Sequence, residues 1–121
     1  MKILVADDSK AMRMIVARTL RQAGFSGHEI VEAEDGAQAL ELVGEEEPDL
    51  VLSDWNMPEM TGIDFLHSLR RSGNEVPFCF VTSEGSEEMR ETAEEAGAMG
   101  LITKPFTAER FSEVLSPVVR S

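Results

Sequence analysis

The side chains best suited to chemistry in this sequence stand directly after short apolar segments. Asp7 and Asp8 follow the first segment and Asp54 follows a later one. Thr82 and Lys104 follow two more. Taken singly, an Asp or Thr in such a place is as often a helix cap, and a Lys is as often a solvated side chain. Their shared placement favours one common polar site.

Asp7, Asp8 and Asp54 would form an acidic cluster if their segments are strands of one sheet. Carboxylates about 5 Å apart repel by roughly 3 kcal/mol per pair at an effective dielectric near 20, so the cluster must take up protons or hold a cation. Oxygen ligands with open positions suit Mg²⁺, which prefers one or two carboxylates plus a phosphate oxygen. The ligand set predicts Mg²⁺-assisted phosphoryl transfer, with Asp54 as nucleophile and with Lys104 and Thr82 around the transferred oxygens.

An alternation of apolar runs and amphipathic patterns predicts the elements that position these side chains. The runs cover residues 2–6, 29–33, 49–53, 78–81 and 100–103, and a helical pattern follows each. Strict alternation implies an α/β fold with a five-stranded parallel sheet and right-handed crossovers, a three-layer α/β/α sandwich. In such doubly wound sheets ligands bind outside the carboxyl ends of the strands, where the polar side chains are expected.

The helical patterns differ in the extent of their apolar faces. The first four are Met12, Ile15, Val16, Leu20 and Ala23; Leu40 and Val43; Ile63, Leu66 and Leu69; and Met89, Ala93 and Ala96; the fifth is Phe111, Val114, Leu115 and Val118. The fourth face is small, so we expect that helix to pack weakly and to open easily. Gly24 is expected to cap the first helix, and Pro117 to end or kink the fifth.

Composition and charge narrow the classes of function. The chain has 121 residues, 42% of them apolar, which suffices for one core and one domain. Its net charge of −12 disfavours nucleic acid, because phosphate backbones are bound by clusters of Lys and Arg. No apolar run approaches the ~20 residues of a membrane span, and the first residues do not lead to a cleavage site. We therefore expect a cytoplasmic protein without membrane insertion.

Three other side chains with reactive or ligating groups are interpreted as structural. Cys79 lies inside an apolar run, where a buried, inert thiol is the common case. His28 and His67 have no Cys or His neighbours at ligand spacing. The sequence therefore supports neither redox chemistry nor a zinc site.

Four short motifs resemble those of the receiver domains of two-component signalling, and most closely those of chemotaxis receivers. They are VADDS at 5–9, SDWNMPEMTG at 53–62, VTSE at 81–84 and TKPF at 103–106. Their joint spacing is highly specific, and the resemblance covers essentially the whole chain. It implies a flavodoxin-like fold with strand order 2-1-3-4-5, and a single receiver domain over residues 1–121 without an effector domain.

The resemblance also implies a set of metal ligands around a phosphoacceptor. Asp54 would accept the phosphoryl group. Asp8 and Asp54 would bind Mg²⁺ directly, Asp7 would act through water, and Asn56 would contribute its backbone carbonyl. Trp55, the only tryptophan, would stand beside the metal and report on it.

Further roles follow for the residues around the phosphoryl group. By resemblance, Thr82 and Lys104 contact it, and the peptide bond from Lys104 to Pro105 is commonly cis in the family. Asn56 and Glu84 match chemotaxis receivers and are expected to set a short lifetime for the phosphoryl group.

The implied partners are a histidine kinase of the chemotaxis type, or a small phosphodonor, and a protein output target. That target would be a flagellar motor or a phosphotransfer protein, and the chain is expected to be a monomer and not a turnover enzyme. The switch would couple Thr82 to the residue three before Lys104, where the family usually has Tyr, Phe or His. Here that residue is Leu101, and an aliphatic side chain cannot bring an aromatic ring to a partner surface.

Three alternatives remain open at this stage. The protein could be a phosphorelay intermediate or phosphate sink, with Arg13 and Met14 facing a phosphotransfer partner, although a solvated Arg and a Met at the core edge are favoured. An Mg²⁺-dependent phosphohydrolase would use the same residue types, but it would need its nucleophile and a second Asp two residues on at the end of the first strand. A flavodoxin-like cofactor carrier shares the fold, but Asp7 and Asp8 would repel its phosphate.

Overall fold

Strands and helices alternate strictly along the chain. The computed structural model describes residues 1–25 and 27–118. The elements are β1 Lys2–Ala6, α1 Lys10–Gln22, β2 Glu29–Ala33, α2 Gly36–Glu46, β3 Leu50–Ser53, α3 Gly62–Arg71, β4 Phe78–Thr82, α4 Glu87–Glu95, β5 Gly100–Thr103 and α5 Ala108–Leu115. No helix among these is long and apolar enough to cross a membrane.

The strands form one parallel sheet in the order β2-β1-β3-β4-β5. In the register, Ala6 lies beside Ser53, Ser53 beside Phe80, and Thr82 beside Thr103. The doubly wound fold and the strand order that the resemblance implied are thus confirmed. The order reverses around β1 and β3, so the carboxyl ends of these two strands border the crevice in which such folds bind ligands.

Two apolar clusters cover the two faces of the sheet. On one face α2, α3 and α4 pack over Leu4, Val51, Phe78 and Phe80, and on the other α1 and α5 pack over Ile3, Val5, Leu52 and Ile102. Successive strand residues point to opposite faces, which is why neighbours in one strand belong to different clusters. The three-layer α/β/α sandwich is confirmed.

The helix ends carry the signals that the sequence contains. Ser9, Asp35, Thr61, Ser86 and Thr107 cap the five helices by accepting a backbone N–H with their side chains. At the end of α1, Gly24 takes a positive φ, and the Phe25 N–H donates to the Leu20 carbonyl, so the predicted C-terminal cap is confirmed. α4 buries only Ala93, in agreement with its small apolar face, and α5 ends at Leu115, two residues before Pro117.

Several details differ from the expectations. β3 begins at Leu50 instead of residue 49, and β4 extends to Thr82. On α1, Ile15 is 43% exposed instead of facing the core, whereas Arg13 is buried and not solvated. Arg13 and Val16 lie three residues apart on the face towards the sheet, and Arg13 is accommodated there because the loop and β2 supply acceptors for its guanidinium.

Candidate functional site

The three predicted aspartates lie at the carboxyl ends of β1 and β3. The Asp7 N–H donates to the Ala33 carbonyl at 3.0 Å, and the Asp54 N–H donates to the Ala6 carbonyl at 2.9 Å, so the backbone ladder continues one residue beyond each strand. Asp8 follows in the loop. One carboxylate oxygen from each of Asp7, Asp8 and Asp54 lies within 4.8 Å of the others. The structure therefore assembles the acidic cluster.

Lys104 places an ammonium against this cluster from the far end of the chain. Its Nζ lies 3.0 Å from Asp7 Oδ2 and 3.4 Å from Asp54 Oδ2. Its own N–H donates to the Thr82 carbonyl at 2.8 Å, which ties the end of β5 to the end of β4. The cis bond to Pro105 is confirmed.

Backbone donors fix the two carboxylates that Lys104 contacts. Asp7 Oδ1 accepts the Ser9 N–H at 2.9 Å, and Asp54 Oδ1 accepts the Trp55 N–H at 2.7 Å. The Asp7 side chain is 5% exposed and that of Asp54 is 12% exposed. Each carboxylate thus has one oxygen that accepts a backbone N–H and one that is directed towards Lys104. This arrangement fixes the orientation of both carboxylates and leaves the site open to a ligand.

The electrostatics of the cluster are those of a site prepared for a cation. Burial raises the pKa of Asp54, and the charge of Asp7 raises it further, whereas Lys104 and the Trp55 N–H act in the opposite direction. One ammonium among three carboxylates leaves a net negative charge, and all the donors are hard oxygen atoms. Such a donor set fits Mg²⁺.

The residues expected to surround the phosphoryl group occupy the same edge of the sheet. Thr82 is fully buried at the end of β4, and its Oγ1 accepts the Glu84 N–H at 3.4 Å. Asn56 and Glu84 are both exposed, Asn56 in the loop after Asp54 and Glu84 in the loop before α4. Their positions leave them open to solvent beside the cluster.

Leu101 does not face solvent. It is 3% exposed, and it packs in the cluster that contains Phe78 and Phe80. A Cβ built on Gly85 would lie 3.6 Å from Leu101 Cδ2 and would collide with Thr103, so the loop before α4 passes close over β5. The aliphatic side chain fills the inward position beneath this loop.

Trp55 is partly buried beside the phosphoacceptor candidate. Its ring packs against Phe80 with centroids 4.7 Å apart at 37°, and its backbone N–H contacts the Asp54 carboxylate. Its side chain thus belongs to the core cluster, while its backbone belongs to the site. A change at Asp54 should therefore alter its fluorescence.

Two residues contribute to the site in ways that the sequence did not predict. Gly62 lies against the carbonyl of Asp54, where any Cβ would overlap that oxygen, and its N–H donates to the Trp55 carbonyl at 2.8 Å. A glycine at the end of the motif was the available signal. Arg13 donates to the Asp7 carbonyl, and no periodicity or spacing indicates such a contact.

Comparison with known proteins agrees with this geometry. The family model for the response regulator receiver domain matches residues 3–116, and the chain belongs to this family. The chain is similar to the chemotaxis protein CheY-3 of Vibrio cholerae, with 41% identity over 98% of this chain and 91% of that protein. It is also similar to CheY of Pseudomonas aeruginosa, with 38% identity over 98% of this chain and 95% of that protein.

Solved structures show the same likeness. The chemotaxis response regulator CheY4 of Vibrio cholerae superposes with a TM-score of 0.83 at 35% identity, covering 97% of each chain. A Francisella response regulator 1452 receiver domain gives 0.85 at 27% identity, covering 98% of this chain and 95% of that one. The chain is therefore a receiver domain of the CheY type, a class of signalling proteins whose members bind Mg²⁺ at an acidic pocket.

Proposed function

We propose that this chain is a stand-alone response regulator that accepts a phosphoryl group on Asp54 and then controls a protein partner, in chemotaxis. The observation that carries the proposal is the double contact of Lys104 with Asp7 and Asp54, in a cluster completed by Asp8. Relatives that are named as chemotaxis proteins and are 38–41% identical over 98% of this chain support the role in chemotaxis.

The reaction follows from the groups around Asp54. A carboxylate oxygen of Asp54 attacks phosphorus, the N–P bond of a phosphohistidine breaks, and the bonding electrons leave with the imidazole, which takes up a proton. Asp7, Asp8, Asp54 and the carbonyl of Asn56 would hold Mg²⁺, which supplies neutralisation of the phosphoryl oxygens when bound. Lys104 and the Thr82 hydroxyl add a cation and a hydrogen bond to the same oxygens. The Trp55 N–H keeps the nucleophile oriented.

The output begins where the phosphoryl group meets β4 and β5. Phosphorylation adds negative charge and acceptors between Thr82 and Lys104, which share a backbone hydrogen bond of 2.8 Å. Thr82 leads through Glu84 to α4, whose burial is limited to Ala93. A weakly packed helix next to the site is the element most readily displaced.

The phosphoryl group is expected to be short-lived. Asn56 and Glu84 are exposed beside the cluster, so water reaches the acyl phosphate from their side. We expect Asn56→Ala and Glu84→Ala to alter the decay rate by up to tenfold without abolishing phosphorylation. Phosphate release measured after a pulse of phosphodonor tests this, and a wild-type phosphoaspartate that persists for many hours in Mg²⁺ buffer would contradict it.

The proposed partners are a histidine kinase as donor and, as target, a flagellar motor or a phosphotransfer protein. A phosphate sink, which returns the group to a histidine domain, is favoured by one observation: Met14 and Ile15 on α1 are 57% and 43% exposed and offer an apolar contact surface. Back-transfer from the phosphorylated chain to a histidine phosphotransfer domain separates the two roles.

The first experiment is a titration of MgCl₂ followed by Trp55 fluorescence, with beryllofluoride added at saturation. We expect a saturable metal response and then a second change. Asp54→Asn should lack the second change, and Asp64→Asn, which alters an exposed aspartate on α3, should keep both. A wild type that responds to neither reagent would show that the acidic cluster is structural.

A further inference from the structure

A buried arginine on α1 contacts the backbone of the acidic site. Arg13 lies in the first turns of α1, and its side chain is 7% exposed. Nη1 donates to the backbone carbonyl of Asp7 at 2.6 Å, and Nε donates to Glu32 Oε1 at 2.8 Å. One planar guanidinium thereby joins α1, the β1–α1 loop and the edge strand β2.

The contact with Asp7 completes the hydrogen bonding of that residue. Its N–H donates to the Ala33 carbonyl. Its two carboxylate oxygens accept from the Ser9 N–H and from Lys104 Nζ, and its carbonyl accepts from Arg13. The carbonyl belongs to the peptide group that also contains the Asp8 N–H. Holding this carbonyl therefore sets the plane of the peptide group that joins the two aspartates.

We propose that Arg13 is a positioning residue for the cation site, acting through the peptide group between Asp7 and Asp8. The inference rests on the proposed function, because it concerns the same acidic cluster. A buried group that orients a ligand from behind commonly changes metal affinity 10- to 100-fold when it is removed. The described hydrogen bonds of Arg13 go to the Asp7 backbone carbonyl and to Glu32, not to the carboxylates of the acidic cluster.

The geometry calls for arginine in particular. The two acceptors of Arg13 lie on different elements, and a fork of fixed N–H groups serves both at once. Lysine would retain the charge and reach one acceptor only. Glu32 is half exposed, so its charge is screened, and its main contribution is as an acceptor for Nε.

The test uses the Mg²⁺ dissociation constant, measured by titrating MgCl₂ alone into the full chain. We expect Arg13→Met to raise this constant about tenfold and Arg13→Lys about threefold. Glu32→Gln, which keeps the acceptor oxygen, should change it less than twofold. The matched control is Arg70→Met, because Arg70 likewise donates to two acceptors, the backbone carbonyls of Asn74 and Gly97, but at the opposite end of the sheet.

A second readout does not depend on the metal. In ¹H–¹⁵N spectra recorded with EDTA, the amide of Asp8 should shift in Arg13→Met and partly recover in Arg13→Lys, and it should stay unchanged in Arg70→Met. A merely stabilising arginine would lower the melting temperature without moving this resonance. Arg13→Lys keeps the test open if Arg13→Met does not fold.

The outcomes separate the two proposals. If the wild type binds Mg²⁺ and Arg13→Lys and Arg13→Met bind it equally well, the positioning role is wrong and the metal site stands. If Arg70→Met or Glu32→Gln weakens binding as much as Arg13→Met, the effect is general destabilisation or ion pairing, and the inference is again wrong. If the wild type does not bind Mg²⁺, the proposed site falls and the inference falls with it.

Discussion

Individual side chains at the acidic site balance one ammonium against three carboxylates. Lys104 contacts Asp7 and Asp54, and Asp8 completes the cluster. Without a cation, the fold holds like charges together that would separate in the unfolded chain, which costs stability. Removing a charge from the site should therefore change the free energy of unfolding. We expect an increase when a carboxylate is removed and a decrease when the ammonium is removed.

Asp54→Asn should stabilise the metal-free protein. Burial raises the pKa of Asp54, so the native state binds its proton at higher pH than the unfolded chain does. The ionised carboxylate thus lowers the free energy of unfolding above the native pKa, and this cost disappears as the pH falls towards the ordinary value of 3.8. In EDTA at pH 7.5 we expect a gain of about 1 kcal/mol, or ~4 °C.

Thermal unfolding between pH 4 and 8 measures this difference. The gain should shrink as the pH is lowered, and Asp64→Asn, on an exposed turn of α3, should show no such dependence. A wild type that is more stable than Asp54→Asn at pH 7.5 in EDTA would contradict the expectation.

Lys104→Met should have the opposite effect on the metal-free protein. Removal of the ammonium leaves Asp7 and Asp54 without their shared cation, and we expect a loss of about 2 kcal/mol in the free energy of unfolding. Labelling by acetyl phosphate should slow about 100-fold, because one group that neutralises the transferred oxygens is missing. Denaturant titration and phosphoprotein electrophoresis provide the two measurements. Lys10→Met, an exposed change on α1, is the control, and equal effects of the two substitutions would refute the site-specific role.

The placement of the three aspartates and of Lys104 at one site was predictable, because charged side chains at the ends of buried strands lower stability unless they have a partner or a function. The burial of Arg13 was not predictable, because its partners are the backbone carbonyl of Asp7 and the side chain of Glu32 on β2. The exposure of Ile15 has the same cause, since Arg13 and Val16 take the face towards the sheet. Such contacts between distant segments cannot be predicted from the apolar periodicity of one helix.

Among the elements, α4 is held differently from the other helices. It buries only Ala93, and Arg90 on it donates through Nη1 to the Leu101 carbonyl of β5 at 3.0 Å. Leu101 is buried beneath the loop before α4, and its side chain belongs to the same apolar cluster as Ala93. A hydrogen bond to the strand thus supplements the small apolar contact.

Arg90→Ala should loosen α4 selectively. The loss of one hydrogen bond costs about 1 kcal/mol, so we expect roughly fivefold faster amide hydrogen exchange in α4. Exchange in β1 and β3 should remain unchanged. Arg71→Ala on α3 is the matched control, because the only side-chain hydrogen bond described for Arg71 is a 3.5 Å bond to Ser68. Equal acceleration in every element would mean that Arg90 stabilises the whole fold and not α4 in particular.

Element types were predictable and some limits were not. Short apolar runs, capping residues and Gly24 indicated the strands and helices, and the poor apolar pattern of the fourth helix correctly indicated weak packing. The extension of β4 to Thr82 depends on pairing with Thr103 of β5, a contact that no local pattern contains. The strand order likewise came from the resemblance and not from the spacing.

For the molecule as a whole, the interior strand β4 provides a probe of global opening. Cys79 is the single cysteine, is fully buried between the layers, and has a thiol whose pKa burial raises to about 12. Modification of Cys79 therefore requires unfolding, because both the access and the thiolate are missing in the native state. Its labelling rate should report the free energy of unfolding of the entire domain.

Mg²⁺ should slow the labelling of Cys79 by mass action. A cation that binds only the native state at 100 times its dissociation constant adds about 2.7 kcal/mol to the free energy of unfolding, so labelling should slow about 100-fold. Thiol–disulfide exchange with a chromogenic reagent, followed across a MgCl₂ series, measures this. NaCl at matched ionic strength is the control for screening, and Asp8→Asn should remove most of the Mg²⁺ effect. If labelling proceeds at the same rate with and without Mg²⁺, either Cys79 is reached by local opening or the acidic cluster binds no cation. Asp54→Asn in EDTA separates these two cases. Its expected gain in stability slows the labelling only if the opening is global.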